Sequence, residues 1–303
     1  MRVGVTGSSG LIGRSLVRAL SARGDQVVRF VRPGTTAPGG AVVRWDPATR
    51  DVDENDLRQA GPLDAIVNLA GTGMGDRRWT AARREAIVRS RLAATGLVVE
   101  IIERLPGGLT ALVNASAVGY YGSHPAAAVD ETSPTGTDFL ASVCRQWEDA
   151  ANQAQRFGTR VALLRSGVVQ SAAGGALARQ LPLFRRGLGG TLGSGHQWVS
   201  LISLTDEVRA IEWILDTDQA GPHNLVAPTA ATNADLTASL AHALGRRAAL
   251  RVPAVALDVA LGRGLSRQAV LASQRAQPRR LLEEGFTFQH PDVTAIVAAA
   301  LAS

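Results

Sequence analysis

The sequence contains no lysine. Its 32 basic residues are all arginine, which excludes a P-loop, a Schiff base and lysine acid–base catalysis, because each needs a primary amine. The one cysteine, Cys144, excludes an intramolecular disulfide and any multi-cysteine metal site, and no metal is expected. Aromatic residues make up only 4% of the chain, so platforms for stacking single-stranded nucleic acid are few. No apolar run reaches the length of a membrane span; VPAVALDVALG is among the longest and is too short. MRVGVTG enters a strand with no charged leader ahead of a cleavable apolar stretch, so a cytoplasmic location and no membrane partner are expected.

A formal net charge of +6 raises nucleic acid as a partner. The arginines argue against it. They are scattered along the chain and alternate with acids, as in AARREAIVRSR and IIERL, the pattern of a solvated surface. No nucleic-acid partner is expected.

What is present is a rhythm. Strand-like runs at RVGVT, QVVRFV, VVRW, DAIVNLA, TALVNAS, RVALLR and HNLVA alternate with helical patterns, among them LIGRSLVRALSARG, WTAARREAIVRSRLAATGLVVEIIERL, DFLASVCRQWEDAANQAQRFG and TDEVRAIEWIL. Buried strands separated by amphipathic helices predict an α/β fold, a Rossmann-type doubly wound parallel sheet. After residue 166 the rhythm loosens into glycine-rich and then mainly helical sequence. A nucleotide-binding domain over 1–232 is expected, with 167–205 contributing to a substrate lobe, and a smaller, mixed but mainly helical C-terminal domain over 233–303.

GVTGSSGLIGRSL places Gly7, Gly10 and Gly13 between the first strand and the first helix. Such a glycine triplet is informative only in this context, with a second strand some twenty residues on. Gly7 permits the tight turn, Gly10 close backbone approach to a pyrophosphate, and Gly13 close helix–strand packing, while amides at the helix start face the phosphates. The second strand, VVRFVRPG, offers Arg29 and Arg32 and no acid. A guanidinium at the strand end suits the extra phosphate of NADP, and alternation selects Arg32; the alternative is an ordinary exposed arginine. NADP(H) is the expected cofactor. VNLAG (67–71) ends one strand with small residues at the carboxyl edge, beside the adenosine and pyrophosphate, and NASAVGYYG (114–122) brings Ser116 towards nicotinamide or substrate.

Together these stretches resemble the short-chain dehydrogenase/reductase superfamily in its extended form, where sugar-nucleotide epimerases and dehydratases belong. More closely, TGSSGLIG, SRLAAT, SAVGYYG, CRQWE, GLGGTLGSGHQW, LGRRAALRVP and LLEEGFTF resemble its atypical epimerase-family branch with a C-terminal domain of its own. The resemblance runs from residue 3 to about 288. It implies phosphate contacts at Gly7, Gly10, Leu11 and Ile12, a 2′-phosphate contact at Arg32, and an adenosine side lined by Leu69, Ala70 and Gly71. It also implies that Arg91 reaches inward from its helix, the alternative being a surface arginine, and that Val168 and Val169 border the nicotinamide.

Two departures stand beside the match. Where the branch often reads tryptophan–isoleucine–histidine, this chain has Leu201, Ile202 and Ser203, which bears on the substrate pocket; His196 nearby is a candidate contact or an exposed loop histidine. In the superfamily a tyrosine and a lysine four residues on handle the proton, and Leu140 and Cys144 stand there instead. The remaining candidates are Ser116 and one of the adjacent tyrosines, Tyr120 and Tyr121, which in an extended segment would point opposite ways; Tyr121 is taken as the proton donor. Asp130 and Glu131 are further candidates, or simply a turn.

The expected function is an NADP-dependent oxidoreductase or epimerase-like enzyme for a small molecule, with sugar nucleotides the class the resemblance implies. The alternative is a non-catalytic NADP(H)-binding or redox-sensing protein.

Overall fold

The computed structural model describes residues 1–35, 40–75, 77–124 and 126–302. Strands in chain order are β1 (Arg2–Thr6), β2 (Gln26–Val31), β3 (Ala41–Asp46), β4 (Asp51–Val52), β5 (Ala65–Asn68) and β6 (Ala111–Ala117). They continue with β7 (Ala128–Val129), β8 (Arg160–Ser166), β9 (Val168–Gln170), β10 (Gly190–Leu192), β11 (Trp198–Val199), β12 (Leu201–Ser203) and β13 (Gly221–Leu225). The main sheet has eight strands in the order β13–β8–β6–β5–β1–β2–β3–β4, parallel throughout except at the β3–β4 edge. Runs such as AIV in β5 are apolar and buried on both faces, as parallel strands covered by helices require.

Helices α1 (Leu11–Ala22), α2 (Glu54–Ala60), α3 (Ala81–Arg104), α4 (Phe139–Asn152), α5 (Gly175–Arg185) and α6 (Leu204–Asp216) supply that cover. Leu16, Val17 and Leu20 of α1 and Ile211 and Ile214 of α6 pack with Val3, Val5, Val67 and Val113 on one face of the sheet. Leu97, Val98, Ile101 and Ile102 of α3 pack with Ile66, Leu112 and Leu163 on the other. Side-chain caps fix where α3, α4 and α6 begin: Thr80, Asp138 and Ser203 accept the backbone N–H groups of Arg83, Ala141 and Asp206.

The strand order turns at β1, which lies between β5 and β2. Ligands of open α/β sheets bind at the carboxyl ends of the strands at such a switch point.

The C-terminal segment adds α7 (Asn233–Ala243), α8 (Ala254–Leu261), α9 (Arg263–Leu265), α10 (Arg279–Glu283) and α11 (Val293–Ala302), with short strands β14 (Ala231–Thr232), β15 (Leu250–Val252) and β16 (Arg275–Ala276). Leu236 and Leu240 of α7 and Ile296 and Val297 of α11 share a core with Leu177, Leu181 and Phe184 of α5. The small strand pairs β10–β15, β11–β14 and β7–β16 join this lobe to the chain before it, while β9 pairs with β12 ahead of it. Among the described residues no helix is long and apolar enough to cross a membrane.

Candidate functional site

The glycine loop sits at the switch point, and its three glycines have distinct jobs. Gly7 has φ +61°, and a Cβ there would lie 2.7 Å from the Leu69 carbonyl oxygen. A Cβ on Gly13 would come within 2.2 Å of the Gly7 carbonyl oxygen, so only glycine lets α1 approach β1 this closely. Gly10 closes the turn by donating its N–H to Gly7 O at 2.9 Å and stands at the N-cap of α1. No side chain caps this helix, and its first turn carries no acid. Its leading amides, at Leu11 and Ile12, thus form an uncapped positive end suited to an anion.

Thr6, Asn68 and Asn114 stand at one level of β1, β5 and β6, where their registers match. Thr6 Oγ1 donates to Asn68 Oδ1 at 2.6 Å and accepts the N–H groups of Leu69 and Ala70 at 3.1 and 3.2 Å. Asn68 Nδ2 donates to Asn114 Oδ1 at 2.6 Å and to Thr95 Oγ1 at 3.0 Å. This buried lattice holds Leu69, Ala70 and Gly71 in place over the strand ends. The sequence reading did not find it, although a polar residue ending β1 and β5 and another inside β6 were the signal.

Arg91 lies beneath that loop. It is 7% exposed, and Nη1 donates to the Thr72 and Ile87 carbonyls at 3.1 and 3.2 Å. Its guanidinium stacks 4.9 Å from the centroid of the Trp147 ring, and Trp147 is itself held by a hydrogen bond to Thr95 Oγ1. No carboxylate among the described residues pairs with it, and burial pulls its pKa below the usual arginine range. Arg32 is exposed just past the end of β2, next to β1 in the sheet. Residues 36–39, a few positions on, lie outside the described residues. Val168 is 37% exposed, and Val169 beside it packs partly into the core.

Both expected catalytic hydroxyls lie in buried hydrogen-bond networks. Ser116 is buried, and its Oγ donates to Glu148 Oε1 at 2.6 Å. Glu148 is engaged in turn by Arg165, whose Nε and Nη2 donate to Oε1 and Oε2 at 2.9 Å each. Tyr120 and Tyr121 are not extended. They form a 3₁₀ turn, Val118–Tyr121, with their rings edge to face at 5.4 Å. Tyr121 is fully buried; its hydroxyl accepts from Arg165 Nη1 at 3.0 Å and donates to Asn224 Oδ1 at 2.7 Å. Burial drives its pKa upward against the pull of Arg165. Both hydroxyls are engaged with internal partners.

The α4 positions form an apolar surface. Leu140 and Cys144 are buried against Gly119, where an added Cβ would lie 3.3 Å from Leu140 Cβ and 3.7 Å from Cys144 Sγ. Burial first, and then the Glu148 charge, pushes the Cys144 thiol up to about 12. It is no nucleophile near neutral pH. Leu201, Ile202 and Ser203 are buried in β12, which pairs with β9, while His196 is exposed. Asp130 closes the turn at Thr132 and pairs with Arg279, and the buried Glu131 accepts the Asn224 N–H at 2.9 Å. Among the described residues no cluster of His, Cys, Asp and Glu could hold a metal.

Residues 3–227 match the model of the NAD dependent epimerase/dehydratase family. The chain belongs to that family. A domain of unknown function, DUF1731, matches residues 252–300. An epimerase family protein of Mycobacterium tuberculosis is 42% identical over 290 residues, 95% of this chain and 93% of its own length. The human epimerase family protein SDR39U1 (isoform 2), solved with NADPH, superposes with a TM-score of 0.88 at 34% identity, covering 100% of both chains. A nucleoside-diphosphate sugar epimerase of Corynebacterium glutamicum does so with a TM-score of 0.80 at 34% identity, covering 99% of this chain and 58% of that one.

Proposed function

We propose that this chain binds NADP(H) at the switch point and uses it to exchange hydride with a small-molecule substrate of the sugar-nucleotide class. One observation carries the reading. A glycine cradle with an uncapped helix start stands near a buried guanidinium, Arg91, that no described carboxylate neutralises. An uncompensated buried charge is expensive, and an anionic ligand offsets that expense. The NADPH of the human relative and the name of the Corynebacterium protein support the cofactor and the substrate class.

In this reading Gly7, Gly10 and the amides of Leu11 and Ile12 hold the pyrophosphate, and Arg91 faces it from α3. Arg32 takes the 2′-phosphate, Leu69, Ala70 and Gly71 line the adenosine side, and Val168 and Val169 border the nicotinamide. NADPH supplies the hydride when bound. The chain's own residues orient the ring and limit water.

A second reading is a non-catalytic NADP(H)-binding or redox-sensing protein. It is favoured by the engaged hydroxyls of Ser116 and Tyr121 and by the apolar pair Leu140 and Cys144. A missing general acid costs roughly 10²–10⁴-fold, which leaves room for a slow enzyme. Assaying NADPH oxidation by the purified protein against carbonyl and sugar-nucleotide panels separates the two. Turnover of a panel member supports the enzyme. Tight NADPH binding with no turnover anywhere on the panels favours the second reading.

A further inference from the structure

Two turns before Arg91, on α3, Arg84 occupies a corner where the two lobes meet. Its guanidinium lies 4.6 Å from the centroid of Phe139, the first residue of α4. Trp79 packs edge-on against Phe139 at 5.4 Å. The C-terminal lobe closes the corner at Gly264, where an added Cβ would lie 3.4 Å from the Trp79 ring and 3.7 Å from Arg84 Nη2. Arg78 fastens this wall by donating to the carbonyls of Val259 and Ala260.

Arg84 is half-buried, and among the described residues nothing answers its charge. Its Nε is buried with no hydrogen-bond partner, and no carboxylate among the described residues pairs with it. It also sits in the first turn of a 24-residue helix whose first turn contains no acid. The helix dipole makes that end positive, so a cation there is disfavoured a second time. Stacking on one aromatic ring offsets only part of these costs. Stability alone gives no reason for an arginine here, whereas recognition of an anion does.

We infer that Arg84 forms an oxyanion subsite, distinct from the cofactor phosphates, that reads the phosphate or diphosphate of the substrate class proposed above. The inference rests on the NADP(H) reading above and deepens it. Arg84 and Arg91 are seven residues apart, about 10 Å along the helix axis. With Arg91 assigned to the cofactor, Arg84 reads a second anion nearer the C-terminal lobe. Of the two sources of phosphate, cofactor and substrate, the contact with Gly264 favours substrate.

The test uses the full chain saturated with NADPH and titrated calorimetrically with UDP and, separately, inorganic pyrophosphate. Wild type should bind at least one of them. Arg84→Met should weaken that binding about ten- to a hundredfold, the loss expected for a charge-assisted hydrogen bond. NADPH affinity should stay within about twofold, which also verifies that the variant is folded, and Arg84→Lys should retain part of the binding. The inference is overturned if NADPH-loaded wild type binds neither probe, or if Arg84→Met binds it as tightly. It is equally overturned if NADPH affinity falls in step with the probe, because Arg84 then belongs to the cofactor site. Failure of NADPH to bind wild type would instead strike the underlying reading.

Discussion

Glu148 and Arg165 form a buried, two-point ion pair that ties α4 to β8, with side chains only 7% and 4% exposed. Ser116 and Tyr121 hang from it, one on each partner. The Tyr120 ring covers the guanidinium at 3.5 Å, and burial, which would lower the Arg165 pKa, is overcome by the carboxylate. The residues expected to move a proton are therefore part of the clamp that sets α4 against the sheet.

That clamp predicts a large stability effect. Glu148→Ala leaves Arg165 buried and unpaired and should cost about 3–5 kcal/mol in urea unfolding. Ser116→Ala, which leaves the pair intact, should cost about 1 kcal/mol. Equal losses in the two variants would mean that the ion pair does not organise this region.

Gly13→Ala should damage the cradle without touching any ligand directly. Its Cβ has to displace the backbone of Gly7, 2.2 Å away, and with it the turn that Gly10 closes. Strain of this kind typically costs about 1–3 kcal/mol. NADPH affinity by fluorescence titration should fall at least as far as NADH affinity. Retained affinity would mean that the phosphates are held elsewhere.

Much of this was legible in the sequence, and the boundary is physical. Alternating apolar runs and helical patterns foretold the sheet and its helices, because burial on both faces leaves a strong local pattern. The glycine spacing foretold the turn, since only glycine fits a positive φ at Gly7 and the contact at Gly13. The fate of Ser116 was not legible. A hydroxyl is free or spent according to partners far along the chain: Glu148 lies 32 residues from Ser116, and Asn224 lies 103 from Tyr121. Alternation also failed at Tyr120 and Tyr121, because β6 gives way to a 3₁₀ turn within two residues of Ser116.

Arg91→Met should separate stability from binding. The arginine is buried without a carboxylate, so an apolar side chain of similar length should leave unfolding free energy unchanged or raise it by about 1–2 kcal/mol. NADPH should bind at least tenfold more weakly, given the usual strength of a hydrogen bond to a charged group. A variant that is both less stable and unimpaired in NADPH binding would mark Arg91 as a structural residue of the α3–α4 packing.

Glu207 predicts how stability depends on pH. The residue is fully buried on α6; Ser166 Oγ donates to its Oε1 at 2.6 Å, and its Oε2 has no partner. Burial pushes its pKa from 4.5 up to about 8, with Ser166 pulling only weakly the other way. The folded state therefore holds this proton more tightly than the unfolded chain. Its contribution is most favourable below the unfolded value of 4.5, declines as pH rises from there, and reaches its full penalty above about 8. Glu207→Gln keeps the Ser166 hydrogen bond and has no charge to bury. Measured against wild type, the variant should be nearly neutral at about pH 4 and more stable by a few kcal/mol, on the order of one to four, at about pH 9. Urea unfolding of both proteins across that range decides it. A difference that stays constant with pH would mean that Glu207 titrates alike in the folded and unfolded protein, a partner compensating its charge.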